Sequence, residues 1–248
     1  VKVGDRVAYA ALPPGAYAQV RVIPAHRLVR LPESIPFRQA AGMMLRGMTA
    51  RYLLYGCCKV KRGDTLLVQA AAGGVGLILS QWAKFLGATV IGTVGSREKA
   101  ELAKAHGCDH TILYREEDFA SRVKEITGGR GVDVVYDSVG QATFMKSLDC
   151  LRPMGMMVSF GQSSGTVPPF DLGLLSAKGS LFLTRPTLMV YTAKREDLLA
   201  HAADLFEVVT GGTVKIEIRQ TYPLAEASRA HRDMEARKTT GSTILIPD

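Results

Sequence analysis

A chain of 248 residues with 47% hydrophobic and 22% charged residues is long enough for one large or two moderate cores, and it excludes a disordered, repetitive or collagen-like polymer. The formal net charge of +8 comes from scattered basic residues with no basic stripe interleaved with aromatics, so nucleic acid is not an expected partner. No membrane span is expected either, because Gln69, Gly73, Gly74, Gly76 and Gln81 break the most apolar stretch, Leu66 to Trp82, and a span needs about twenty apolar residues.

In chain order, residues 1–31 read as short strands, "GDRVAYA" and "GAYAQVRVI", joined by an "LPPG" turn. In "RLPESIPFRQAAGM", Ser34 or Pro36 can open a helix. From Met48 the pattern alternates. Strands "TLLVQAA", "TVIGTV", "DHTILY", "GVDVVYDSV", "GMMVSFG" and "GSLFLT" are separated by helices "GVGLILSQWAKFLG", "SREKAELAKAHG", "FASRVKEITGG" and "QATFMKSLDCLRP". Strands separated by helices are βαβ units, which build a parallel sheet. Beyond it follow helical "REDLLAHAADLFEVVTGG", strand-like "KIEIRQTYPL", helical "AEASRAHRDMEARK" and a closing "GSTILIPD". The expected fold is α/β: a doubly wound Rossmann sheet over residues 48–183, inserted into a second domain built from residues 1–47 and 184–248.

The stretch Ala71-Ala72-Gly73-Gly74-Val75-Gly76 lies between a buried strand and a helix, as a dinucleotide fingerprint requires. Gly73 lets the backbone approach the phosphates, Gly76 lets the helix pack on the strand, and the first N–H groups of the helix face the anion. Ala71 stands where the first glycine of that fingerprint is expected. An NAD site carries an acidic residue about twenty residues further on. Here the second strand ends in Thr93-Val94-Gly95-Ser96-Arg97-Glu98-Lys99, and Ser96, Arg97 and Lys99 offer a hydroxyl and two cations. Such a group pairs with a ribose 2′-phosphate, so the expected cofactor is NADPH.

With these residues in view, "AAAGGVG", "QWAKFLGATVIGTVGSREK", "REED", "EITGGRGVDVVYDSVG", "MVSFGQSSG", "GSLFLTRP" and "YPLAEASRAH" resemble the zinc-independent, zeta-crystallin-like NADPH:quinone oxidoreductases of the medium-chain dehydrogenase/reductase superfamily. The resemblance implies that the outer domain is GroES-like, β-rich and catalytic, with its amino-terminal part incomplete in this chain. It also implies cofactor contacts at Tyr52, at Gly73, Gly74 and Val75, at Ser96, Arg97 and Lys99, and at Tyr114. Toward the nicotinamide end it implies Ser138, Phe160, Gly161, Leu183 and Arg185, with a further contact at Arg237. Tyr52 and Phe160 read equally as core aromatics, Asp137 as a cap of its own turn, and Arg185 as an arginine in need of an anionic partner. The same resemblance implies a homodimer paired along the "SLFLTRP" edge.

Zinc-dependent relatives carry a four-cysteine lobe after the "GDRV" strand, and this chain passes from strand to strand there without a cysteine. Its five histidines, His26, His106, His110, His201 and His231, show no ligand spacing, and no metal is expected. The cysteines Cys57, Cys58, Cys108 and Cys150 form neither a disulfide framework nor a zinc ribbon, so reduced thiols in the cytoplasm are expected. Without a metal or an evident acid–base pair, the expected chemistry is hydride transfer from NADPH to an already electrophilic quinone, and no residue present is assigned a catalytic role. The alternatives are an alkenal or enone reductase of the same superfamily, told apart by rates on the two substrate classes, and an NADPH-binding RNA-binding or structural, crystallin-like protein, told apart by RNA binding that NADPH leaves undisturbed.

Overall fold

The computed structural model describes residues 1–10 and 12–247. Two compact units emerge, one of Val1–Tyr52, Gly73–Ile78 and the chain from Leu188 onward, the other of Leu53–Ala72 and Leu79–Thr187.

The first unit opens with β1 (Val7–Ala8) and β2 (Val29–Arg30), an antiparallel pair. The strand expected over "GAYAQVRVI" does not form. Val20 and Val22 are 88% and 97% exposed, and no described strand pairs with that segment. Alternation supplies a face, but a strand also needs a neighbour to complete its ladder. Helix α1 (Phe37–Tyr52) starts directly after Pro36, whose carbonyl accepts the Ala40 N–H at 3.0 Å. It runs unbroken through Met48, where the sequence pattern changes, because Met43, Met44 and Met48 form one buried stripe. A π-helical turn, Leu53–Cys57, follows in the second unit.

The second unit contains β3 (Thr65–Val68), most of α2 (Gly74–Phe85), β4 (Thr89–Val94), α3 (Arg97–Ala105), β5 (His110–Leu113), α4 (Phe119–Ile126), β6 (Val132–Asp137), α5 (Phe144–Asp149), β7 (Leu151–Ser159), α6 (Gly173–Ala177) and β8 (Phe182–Thr184). Ser96 and Asp118 cap α3 and α4 by accepting the N–H of Lys99 and of Ser121. The six strands lie in the order β5-β4-β3-β6-β7-β8 with every neighbour parallel. That is the doubly wound Rossmann arrangement the alternating pattern implied, with its switch point between β3 and β6. Leu67, Ile91, Ile112, Val135 and Met157 fill the sheet core against Phe119, Val123, Phe144 and Leu148. Such apolar runs suit strands covered on both faces.

At the end of α5 the boundary differs from the sequence reading: the helix stops at Asp149, and Arg152-Pro153 belong to β7. The β6–β7 register shifts between Val132 and Val134, and at that irregularity the sheet tolerates a proline without a ladder N–H.

The first unit resumes with α7 (Leu188–Tyr191), α8 (Arg195–Thr210), β9 (Ile218–Pro223), α9 (Ala227–Glu235) and β10 (Ser242–Ile246), and β9 and β10 pair in parallel. The short helices α6 and α7 have too few turns for a periodic signal, and the sequence reading missed both. Asp248, the end of the "GSTILIPD" run, lies outside the described residues. Among the described residues no helix is long and apolar enough to cross a membrane.

Candidate functional site

Beyond β3 the chain turns sharply at the carboxyl edge of the sheet. The Gln69 N–H donates to the Tyr136 carbonyl and the Ala71 N–H to the Thr93 carbonyl, both at 3.0 Å. Between them Ala70 adopts a φ of 55°, a left-handed conformation that costs a non-glycine residue about 1 kcal/mol or more. Helix α2 then begins at Gly74, and its first-turn N–H groups have no intrahelical acceptor. The alanine at 71 has a structural complement on β4. A Cβ on Gly92 would lie 2.6 Å from the Ala71 Cβ and 2.7 Å from the Cys108 Sγ. The methyl group that the fingerprint lacks room for at 71 is thus accommodated by a bare backbone on the next strand.

Sequence reasoning missed one residue at this turn. Within the first unit, the Arg46 side chain lies against Gly74 where any side chain at 74 would collide with it, and Gly73 bridges Gly241. Burial lowers the Arg46 pKa, and its guanidinium donates to the Gly42 carbonyl at 3.5 Å. Nothing in the spacing of "MLRGMTA" marks it, because the approach depends on α1 meeting the turn.

At the end of β4 the structure gathers Ser96, Arg97, Lys99 and Tyr114. The Tyr114 hydroxyl sits so close to Gly95 that a Cβ there would be 2.9 Å away. The Ser96 hydroxyl accepts the Lys99 N–H at 3.4 Å, so this serine caps a helix as well as edging the site. Arg97 is exposed, with Glu116 at 3.8 Å, and Lys99 is half-buried. Residues 93–97 contain no carboxylate.

At the ends of β6 and β7 a second group forms. Gly161 passes so close to Ser138 that a Cβ would lie 2.6 Å from its carbonyl oxygen, and the Phe160 N–H donates to the Asp137 carbonyl at 2.8 Å. Phe160 is half-buried here. Leu183 pairs with Met157 in the β7–β8 ladder. Arg185 finds a neutral partner instead of an anion: its Nη1 donates to the Ser159 carbonyl at 2.9 Å. Exposed to solvent, Arg185 needs no anion beside it, and a carbonyl suffices. Asp137 caps its own turn, accepting the N–H groups of Val139 at 2.7 Å and Gly140 at 3.0 Å.

The two remaining residues lie in the first unit. The Tyr52 ring is 2% exposed and stacks on Tyr191, with centroids 4.7 Å apart and planes within 8°. That is a core position. Arg237 is exposed in the turn after α9, with a φ of 57°. Among the described residues no three His, Cys, Asp or Glu side chains come together as a metal site. Burial pushes the thiols of Cys58 and Cys150 up to about 12 and that of Cys108 to about 11, so all three are protonated near neutrality.

A parallel sheet of this strand order with a glycine turn at its switch point defines a dinucleotide-binding dehydrogenase domain. The family model described as zinc-binding dehydrogenase matches residues 74–205. The chain is 53% identical over 246 residues to a quinone oxidoreductase of Pseudomonas aeruginosa, covering 99% of this chain and 76% of that protein. It is 49% identical to a 2-haloacrylate reductase of a Burkholderia species, covering 99% of this chain and 74% of that protein. A solved structure, Escherichia coli quinone oxidoreductase complexed with NADPH, superposes with a TM-score of 0.97 at 50% identity, covering 100% of this chain and 76% of that one. The chain belongs to the zinc-binding dehydrogenase family, among its quinone oxidoreductases.

Proposed function

We propose that this protein is an NADPH-dependent quinone oxidoreductase. The observation that carries the reading is its 53% identity, over nearly the whole chain, to a quinone oxidoreductase. The site fits the cofactor. The backbone at Gly73–Val75 can receive a pyrophosphate, and Ser96, Arg97 and Lys99 follow a β4 end, residues 93–97, without a carboxylate, which suits a 2′-phosphate. In this reading Tyr114 flanks the adenosine, Ser138, Phe160, Gly161, Leu183 and Arg185 lie toward the nicotinamide, and Arg237 adds a contact. Tyr52, stacked on Tyr191, is a further cofactor contact in the same reading. The six-stranded unit is the cofactor-binding domain, and both chain ends build the catalytic domain.

When bound, NADPH would supply the hydride that reduces the quinone and would leave as NADP⁺. No zinc enters this reading, and the chain's own contribution is orientation and shielding rather than a nucleophile. The similarity to a 2-haloacrylate reductase favours a second substrate class, activated carbon–carbon double bonds, on which the same hydride addition operates. The free cysteines suit the cytoplasm, and β8, paired on one side only among the described strands, suits a homodimer edge.

Steady-state rates with NADPH on a panel of quinones and on a panel of 2-haloacrylates and enals test the assignment. We expect kcat/KM to favour quinones at least ten-fold, and the reverse order would make the double-bond reductase the right reading.

A further inference from the structure

Four buried polar side chains form one continuous hydrogen-bonded chain beneath the carboxyl ends of β3, β4 and β6. The Thr93 hydroxyl donates to Gln69 Oε1 at 2.5 Å, Gln69 Nε2 donates to Ser147 Oγ at 3.1 Å, and the Ser147 hydroxyl donates to Asp137 Oδ2 at 3.1 Å. Gln69, Thr93, Asp137 and Ser147 are all 2% exposed or less. At one end Thr93 Oγ1 accepts the N–H of Ala70, the residue in the left-handed conformation, at 3.3 Å. At the other end Asp137 also accepts from the Thr143 hydroxyl at 2.7 Å and from the N–H groups of Val139 and Gly140.

The sense of every bond follows from the terminus. Asp137 Oδ2 accepts from Ser147, so the Ser147 hydroxyl spends its hydrogen there. Ser147 Oγ is then left to accept from the Gln69 amide nitrogen, which turns Gln69 Oε1 toward Thr93. Thr93 spends its single hydrogen there, and its lone pairs face the Ala70 N–H. Reversing any member leaves a buried donor or acceptor unpaired, which costs far more than one hydrogen bond returns. The chain therefore has one arrangement, and that arrangement pins Ala70, the residue that sets the path into Gly73.

We infer that Thr93, Gln69, Ser147 and Asp137 act as positioning residues that hold the entrance of the glycine turn in its binding conformation. None of them is assigned a contact with ligand. This inference rests on the reading of Gly73–Val75 as a pyrophosphate site. A pre-set turn spares the ligand the cost of ordering it, so the effect belongs in binding. It should act on NADPH and NADH alike, because the turn would receive the pyrophosphate that both nucleotides carry.

The experiment titrates the full chain and its variants with NADPH and with NADH by calorimetry, and measures kcat and KM beside thermal melts. Thr93→Val keeps the shape and strands both Ala70 N–H and Gln69 Oε1. It should weaken NADPH and NADH by the same factor, on the order of ten-fold, with kcat nearly unchanged. Thr93→Ser restores the hydroxyl and should recover most of the affinity. Ser147→Ala, on α5 and away from the turn, should weaken both nucleotides in the same sense by a smaller factor, and it stands in if Thr93→Val fails to fold. Val123→Ala, a core truncation on α4, should lower Tm and leave KM alone. Parent-like affinity in Thr93→Val, or in Ser147→Ala where Thr93→Val fails to fold, overturns the inference, and so does a Thr93→Ser variant as weak as the valine. A parent chain that binds neither nucleotide overturns the cofactor reading instead.

Discussion

Arg97 and Lys99 occupy the same helical turn but not the same environment. Arg97 carries a side chain 85% exposed beside a half-exposed Glu116, and Lys99 is half-buried. Solvent weakens a charged contact at such a mouth, so the pair should contribute about 1 to 2 kcal/mol to a 2′-phosphate. Replacing both with alanine should raise the KM for NADPH on the order of ten-fold, leave that for NADH unchanged, and spare kcat. Equal losses for both nucleotides would mark the patch as structural. At this scale the sequence was most legible where a residue acts through its neighbours in the chain. Ser96 and its cations follow one another, and so do the glycines of 73–76. It was least legible for Tyr52 and Arg185, since whether an aromatic is core or cleft, or an arginine faces an anion or a carbonyl, depends on elements far away in sequence. Gln69, Thr93 and Ser147 escaped for the same reason, and Asp137 was legible only as the cap of its own turn. Each is ordinary in its own segment, and only the strand order makes them one network.

Helix α8 holds a charge-sensitive group. The His201 Nδ1–H donates to the Asp197 carbonyl at 2.8 Å, which leaves Nε2 to accept from Arg51 Nη1 at 3.2 Å, while Arg51 Nε donates to Asp204 at 2.8 Å. Burial lowers the His201 pKa below its ordinary 6.5, and the Arg51 charge acts in the same direction against the carboxylates of Asp197 and Asp204. The folded pKa lies below the unfolded one, so as pH falls through 6.5 the unfolded chain takes up a proton first and stability declines toward the folded value. Thermal melts from pH 7.5 to 5.5 should show Tm falling in the parent and falling less in His201→Gln. An unchanged slope in the variant would move the effect to another group. Asp133 behaves in the same sense at lower pH: burial pushes its carboxyl up, but hydrogen bonds from Arg130 and Arg152 hold it at about 2. Its contribution is present above 3.8 and is lost as pH falls toward 2. Elements with long periodic patterns, α2, α8 and β3 to β6, were legible because burial on a fixed face leaves a mark in the residues. The segment holding Val20 and Val22 misled, since its alternation is real while the described fold pairs nothing with it.

At the scale of the molecule, the six-stranded sheet ends on β8, where Phe182 is 56% exposed beside a strand bonded on one side only among the described residues. An unprotected edge with an apolar side chain invites a second copy. We expect light scattering at micromolar concentration to give the mass of a dimer, and Phe182→Lys to shift the population toward monomer. A parent that stays monomeric would end that expectation. A parallel, doubly wound sheet was legible from the alternation of strand and helix, because parallel strands joined by right-handed crossovers leave few topologies open. The extent of each compact unit was not. Residues 73–78 group with the chain ends although they open a helix whose remainder belongs to the sheet unit, and membership of that kind is decided by packing partners that no local pattern names.

The fit between Ala71 and Gly92 bears on the order in which such a chain could have acquired its residues. A methyl group at 71 is tolerable only while position 92 stays bare, so the glycine on β4 had to be in place first. Reverting Ala71 to glycine would not release position 92, because the Cys108 sulfur already stands 2.7 Å from where its Cβ would go. The fingerprint position can therefore drift in either direction, whereas its complement on the neighbouring strand is fixed from two sides.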